Sequence, residues 1–154
     1  MAVRKRSEFF VIRLCCFCMF RFDGHTSAVE LLKNQWRCFW QCRNNQITEG
    51  STSNAFIINS KNEILTHPSN NFILGGVTRD CVIELAKSNG FIVKENSFSI
   101  DDIKKCKEAF LTSTTVGILP VIKIDKFVVN GKKPGKITLK IMDLYKSFLK
   151  KQIK

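Results

Sequence analysis

Three short polar loops hold the residues with the most chemistry to offer. They are Glu49-Gly50-Ser51-Thr52-Ser53-Asn54, Leu74-Gly75-Gly76-Val77-Thr78-Arg79 and Thr112-Ser113-Thr114-Thr115, and each borders an apolar run. The last two have the makings of a phosphate site. A Gly-Gly turn that feeds a helix leaves backbone N–H groups free at the positive end of the helix dipole. The hydroxyls of Thr78, Ser113 and Thr114 could complete such a cradle. On composition alone the same loops serve equally as plain turns, because Ser, Thr and Gly are turn residues.

The elements that must position these loops follow from pattern. Gln46 to Thr48 reads as a short strand ending at Glu49-Gly50, and Asn54 to Asn59 as a buried strand around the apolar run Ala55 to Ile58. Lys61 to Glu63 turns the chain into Ile64-Leu65-Thr66, a hairpin that His67-Pro68 ends. Asn70 to Gly76 is a loop in which Gly75-Gly76 permits unusual backbone angles. Thr78 to Asn89 then forms a helix with Val82, Leu85 and Ala86 on one face, Thr78 as N-cap and Gly90 as stop. Phe91 to Phe98 reads as a strand, and Ser99 caps a short helix through Asp101 and Asp102. Ala109 to Thr112 is a further buried strand. Pro120 to Ile124 and Phe127 to Val129 form a second hairpin, and Lys136 to Lys151 a helix burying Ile137, Ile141, Leu144, Tyr145 and Phe148. Strand pairs alternating with helices imply an α/β (α+β) domain with a mixed sheet.

Composition sets the outer bounds. The 154 residues have room for one ordinary domain, and 44% hydrophobic content is enough for a packed core. The net charge of +12 raises the question of nucleic acid, but residues 44–131 hold nine basic and nine acidic side chains. The surplus sits at the ends, +5 in residues 1–43 and +7 in 132–154, which reads as solvated surface rather than a nucleic-acid or membrane footprint. The chain also changes character near residue 43. Residues 1–43 hold five of the seven cysteines, both tryptophans and six arginines, whereas residues 44–154 hold one arginine and sixteen lysines. Residues 1–43 show no sustained period, and Arg13 and Arg21 interrupt what would be a core strand or helix. A frameshift or a misplaced start would produce such a seam.

Cys15-x-x-Cys18 and Cys38-x-x-x-Cys42 could supply four thiolates to zinc, but the spacing is loose and lacks a Gly-rich knuckle, so incidental cysteines are the expectation. Cys81 and Cys106 fall on helical stretches and read as small core or half-buried residues. Met1 to Phe22 resembles a signal peptide only superficially, because Glu8, Arg13 and Arg21 break its apolar run and no cleavage site follows. It is too short and too charged to span a bilayer, so a cytoplasmic location with reduced thiols is expected.

Read in order, "ITEGSTSNAFII", "THPSNNFILGGVTRDCVIELA" and "FLTSTTVGILPVIKID…NGKKPGKIT" resemble the C-terminal domain of the class IV (fold type IV) pyridoxal-phosphate (PLP) aminotransferases. The resemblance runs from about Asn44 to Gln152. It is strongest to the D-amino acid aminotransferases and next to the branched-chain enzymes, because Thr112-Ser113-Thr114-Thr115 is closer to a Thr-Ser-Thr-Thr than to a Gly-Thr-Ala-Ala motif. The resemblance implies residues 44–154 as a PLP-binding domain, with residues 1–43 unmatched. It implies Glu49 as the carboxylate paired with the pyridine nitrogen of PLP, which keeps the ring electron-withdrawing. Leu74 corresponds to the apolar residue against the ring, and Ser53 to a hydroxyl in the pyridine-side network. Val77, Thr78 and Thr114 correspond to the phosphate contacts, and Ser113 and Thr115 to the lining of the substrate region. The implied reaction moves an amino group from a D-amino acid such as D-alanine to a 2-oxo acid, in a fold whose members are typically dimers.

One part of the family pattern has no counterpart. The Schiff-base lysine precedes the Glu-Gly motif at a distance that here falls near Phe17, and no lysine occurs between Lys5 and Lys33. The small N-terminal domain, which in the family supplies further phosphate- and carboxylate-binding groups including an arginine, is also unmatched. The expectation is therefore a truncated, inactive product, since losing such a base removes several powers of ten in rate. The alternatives are a branched-chain aminotransferase-like fragment and a basic module that binds nucleic acid, whose affinity would fall steeply with salt.

Overall fold

The computed structural model describes residues 8–14 and 37–152. Its strands are β1 (Glu8–Leu14), β2 (Arg37–Arg43), β3 (Gln46–Gly50), β4 (Asn54–Ile58), β5 (Ile64–Thr66), β6 (Val93–Lys94), β7 (Phe98–Ser99), β8 (Glu108–Ser113), β9 (Gly117–Ile124) and β10 (Phe127–Val128). Its helices are α1 (Val77–Ser88), α2 (Ile100–Lys105) and α3 (Lys136–Gln152). All the strands join one sheet in the order β6-β5-β4-β8-β9-β1-β2-β3-β7, with β10 on β9. Every pairing is antiparallel except β5 with β6, so the sheet is mixed as the strand pattern implies.

The sheet curls until β3 meets β4 again through a single residue pair, Glu49 with Asn54. Curling gives the central strands two buried faces, which is why Ala55 to Ile58 is apolar without alternation. Ala55 and Ile57 point inward with Trp40, Ile47, Ala109, Leu111, Leu119 and Ile124. Phe56 and Ile58 point outward with Phe110 and are covered by Val82, Ile83 and Ala86 of α1 and Ile141, Met142 and Tyr145 of α3. The Phe56 and Phe110 rings stack at 4.7 Å between centroids and 8° between planes. Each such side chain contributes about 2 kcal/mol through burial.

Several details differ from the sequence expectations, each for an identifiable reason. The change in composition at residue 43 falls on the tip of a hairpin: Asn44 and Asn45, at φ 49° and 64°, make the two-residue turn between β2 and β3. Upstream of it Trp40 is wholly buried and Cys42 nearly so. Arg13 does not break its segment, since β1 pairs with β2 on one edge and β9 on the other through main-chain groups. The expected strand from Phe91 to Phe98 is reduced to two residues at each end, because the intervening Glu95, Asn96 and Ser97 are exposed and Glu95 is drawn to α1. In α3 the buried residues include Thr138 and Met142, while Ile137, Leu144 and Phe148 are half-buried.

The short helix α2 has the expected start. Ser99 Oγ accepts from the Asp102 amide while the Asp102 carboxylate accepts from the Ser99 amide, a reciprocal capping box. Among the described residues no helix is long and apolar enough to cross a membrane.

Candidate functional site

The three polar loops meet. A cavity of about 440 Å³ is lined by Glu49 to Asn54, Leu74 to Thr78 and Thr112 to Thr114, at the corner where β3 turns into β4. Its size lies in the range of small-molecule sites. The corner is tight: the Gly50 amide donates to the Ser53 carbonyl at 2.7 Å.

Both ends of the corner hold the Leu74 peptide. The Leu74 amide donates to Glu49 Oε2 at 2.8 Å, and Asn54 Nδ2 donates to the Leu74 carbonyl at 2.8 Å. Gly75 and Gly76 follow, and their role is space rather than the unusual angles expected from sequence. Gly76 has ordinary extended backbone, φ −74° and ψ 137°, but a Cβ there would lie 2.5 Å from Asn54 Oδ1. A Cβ on Gly75 would lie 2.8 Å from Ser69 Oγ.

Among the described residues, no side chain caps the start of α1 at the cavity. Gly76 occupies the N-cap position, and Thr78, expected as N-cap, sits one residue inside the helix at 5% exposure. Leading amides without an acceptor are an anion site by default. Leu74 and Val77 stand at 76% and 77% exposure beside them.

Arg79 ties this helix to its surroundings. It is the single arginine downstream of Arg43, and its guanidinium is 1% exposed. It reaches Asp80 at 2.7 Å, the His67 carbonyl at 2.9 Å and Glu95 Oε2 at 3.0 Å, tying α1 to the segment after β5 and to the chain beyond β6. The Arg79 hydrogen bond holds the Glu95 carboxyl below its usual value, with Lys87 adding to the effect.

Of the residues singled out from sequence, Glu49, Ser53, Leu74, Val77, Thr78, Ser113 and Thr114 all line the cavity. Thr115 is set back from it, with its Oγ1 3.0 Å from Ser113 Oγ. Asn54 and Arg79 stand in the polar loops picked out from sequence but carry no role there, because the partners that define them, apart from Asp80, lie 12 to 20 residues away. Sequence reasoning missed Glu108, which is buried at the start of α3 and accepts from the Ile137 amide at 3.1 Å and from the Thr138 amide and hydroxyl at 2.8 Å. A Cβ on Gly135 would overlap that carboxyl. Cys15 and Cys18 lie outside the described residues. Cys42 is a buried core residue, and the described residues contain no cluster of metal-ligating side chains. Cys81 lies within α1 and Cys106 at the end of α2; burial pushes the Cys106 thiol up to about 11.

Comparison with known proteins gives this geometry a family. The Amino-transferase class IV profile matches residues 40–124, more than half of the chain. The chain belongs to the class IV aminotransferases. The match begins within β2 and takes in all three cavity loops. D-alanine aminotransferase of Listeria monocytogenes serotype 4b is 45% identical over 100 residues, 64% of this chain and 34% of that protein. The branched-chain amino acid aminotransferase of Escherichia coli superposes with a TM-score of 0.61 at 32% identity, covering 64% of this chain and 33% of that one. A Brucella abortus aminotransferase bound to the cofactor PLP superposes with a TM-score of 0.62 at 29% identity, covering 68% of this chain and 36% of that one. The chain thus spans about a third of the length of the class IV relatives it matches.

Proposed function

We propose that this chain is the cofactor-binding part of a D-amino acid aminotransferase, one that exchanges an amino group between a D-amino acid such as D-alanine and a 2-oxo acid. The observation that carries the reading is the uncapped start of α1 opening into a cavity with a carboxylate, Glu49, on its far loop. This donor set fits PLP: amides and hydroxyls for a phosphate at one end, a carboxylate for a protonated ring nitrogen at the other. PLP supplies an electron sink for amino-group transfer when bound.

The chain's own residues would divide the work of holding it. The Val77 and Thr78 amides and the Thr78 and Thr114 hydroxyls would bind the phosphate. Glu49 would hold the proton at the pyridine nitrogen, with its other task, fixing the Leu74 amide, keeping it in place. Leu74 would cover the ring and exclude water, Ser53 would support the pyridine side, and Ser113 and Thr115 would border the substrate. All these residues lie downstream of residue 43, so the binding function is assigned to 44–154, with β1 and β2 as backing for its sheet.

The cavity lining includes no lysine among the described residues, so the Schiff-base lysine would have to come from elsewhere and this part alone is expected to be inactive. D-alanine is favoured over branched-chain substrates by Thr112-Ser113-Thr114-Thr115 and by the Listeria relative. A branched-chain enzyme is the second reading, favoured by the likeness to the E. coli structure.

Titration of the purified chain with PLP tests the proposal. Saturable binding that weakens about tenfold or more in E49A is expected, in line with loss of a charge-assisted hydrogen bond. Borohydride reduction is expected to leave no adduct on a defined lysine. No saturable binding would sink the cofactor reading, and a reducible adduct at one lysine would sink the inactivity. Titrating the loaded chain with D-alanine and L-leucine separates the two substrate readings.

A further inference from the structure

Four buried side-chain polar atoms have no hydrogen-bond partner among the described residues: Trp40 Nε1, Gln46 Oε1, Arg79 Nε and Thr112 Oγ1. Of these residues only Thr112 lines the cavity. It is 1% exposed, so water does not readily supply the missing partner. A buried hydroxyl without a partner lowers stability, and valine, of nearly the same shape and better suited to a strand, would avoid that cost.

Its placement shows what would partner it. Thr112 lies directly opposite Asn54 in the β4–β8 ladder, and residues directly opposite in an antiparallel pair project to the same face. That face carries Phe56 and Phe110 toward the helices. Asn54 uses it to reach the Leu74 carbonyl, just before the uncapped start of α1. The Thr112 hydroxyl is therefore on the side of the strand that meets the free amides, with a proton to donate.

We propose that Thr112 is a ligand-binding residue of this cavity, its hydroxyl donating to an oxygen of a phosphate monoester seated at the start of α1. The identity of that monoester as PLP rests on the function proposed above; the anion contact does not. The hydroxyl has no partner among the described residues and gains one in the complex, so it exchanges stability for affinity.

The test compares wild type with T112V, which removes the hydroxyl at constant shape, and T112S, which keeps it. Thermal stability is measured alone and with PLP, with pyridoxal, which lacks the phosphate, and with inorganic phosphate. Unliganded T112V is expected to melt at or above the wild-type temperature. Its affinity for PLP is expected to fall about tenfold to a hundredfold, the range for a hydrogen bond to a charged group. Pyridoxal affinity is expected to stay unchanged, and T112S to behave as wild type.

A lower melting temperature for unliganded T112V would overturn the proposal by revealing a structural partner. So would equal losses for PLP and pyridoxal. Wild-type PLP affinity in T112V would overturn it while leaving the proposed function standing. A wild type that responds to inorganic phosphate through Thr112 but not to PLP would support the contact and sink the cofactor. A wild type that responds to neither anion overturns both.

Discussion

The two long helices start on different terms, although both rest against the same face of the sheet. At α3, the amides of Ile137 and Thr138 are taken by the Glu108 carboxylate, which reaches them from β8 and leaves room for no Cβ on Gly135. At α1, Gly76 offers no side chain, and the first turn opens into a cavity lined by hydroxyls. A helix start must satisfy several amides that have no partner inside the helix. Supplying a carboxylate from the same chain closes that account for folding. Leaving the amides open costs some stability and, on the function proposed above, keeps a place for an anion from outside.

The largest expected effect is at the closed start. E108A removes acceptors for three donors, two of them buried, and is expected to destabilise the chain by about 3 kcal/mol in urea unfolding. A cost below about 1 kcal/mol would mean that α3 begins without needing this carboxylate. The open start should respond in the opposite sense. G76A places a Cβ against Asn54 Oδ1, which must move and release the Leu74 carbonyl. PLP affinity is expected to drop about tenfold while stability falls by only about 1 kcal/mol. Were folding to suffer more than binding, the distinction between the two starts would collapse.

The smallest effect sharpens how α1 is held. The folded-state carboxyl of Glu95 lies below its ordinary value of 4.5, so its contribution is present above pH 4.5 and is lost as pH falls through the folded value. Its side chain is 39% exposed, so E95Q is expected to cost less than about 1 kcal/mol at pH 7. Urea midpoints of E95Q and wild type should converge as pH drops below about 4.5. A difference that stayed constant with pH would assign the effect to packing rather than charge.

Several features decided within a few residues are legible in the sequence, and those decided at a distance are not. Ala55 to Ile58, the α3 period and the Ser99 capping box are legible because each is decided within a few residues. Threonine is a good N-cap and draws the expected helix start to Thr78, two positions past the observed cap Gly76, which is required for room beside Asn54, 22 positions upstream. The Glu108 carboxylate has no local sign of its partners, which lie 29 and 30 residues downstream. The cavity loops were visible as three separate polar strings, and only the curl of the sheet brings them together. Arg13 is a poor guide to its segment because main-chain pairing on both edges, and not the side chain, decides that it is a strand.

The curl also has a mechanical side. The circuit of strands is completed at one rung, Glu49 opposite Asn54, and these same two residues hold the Leu74 peptide from either side. The clasp of the curled sheet and the grip on the loop are thus one fitting. Strain that parts β3 from β4 must slacken the loop, and anything that tightens the loop draws the ring of strands shut.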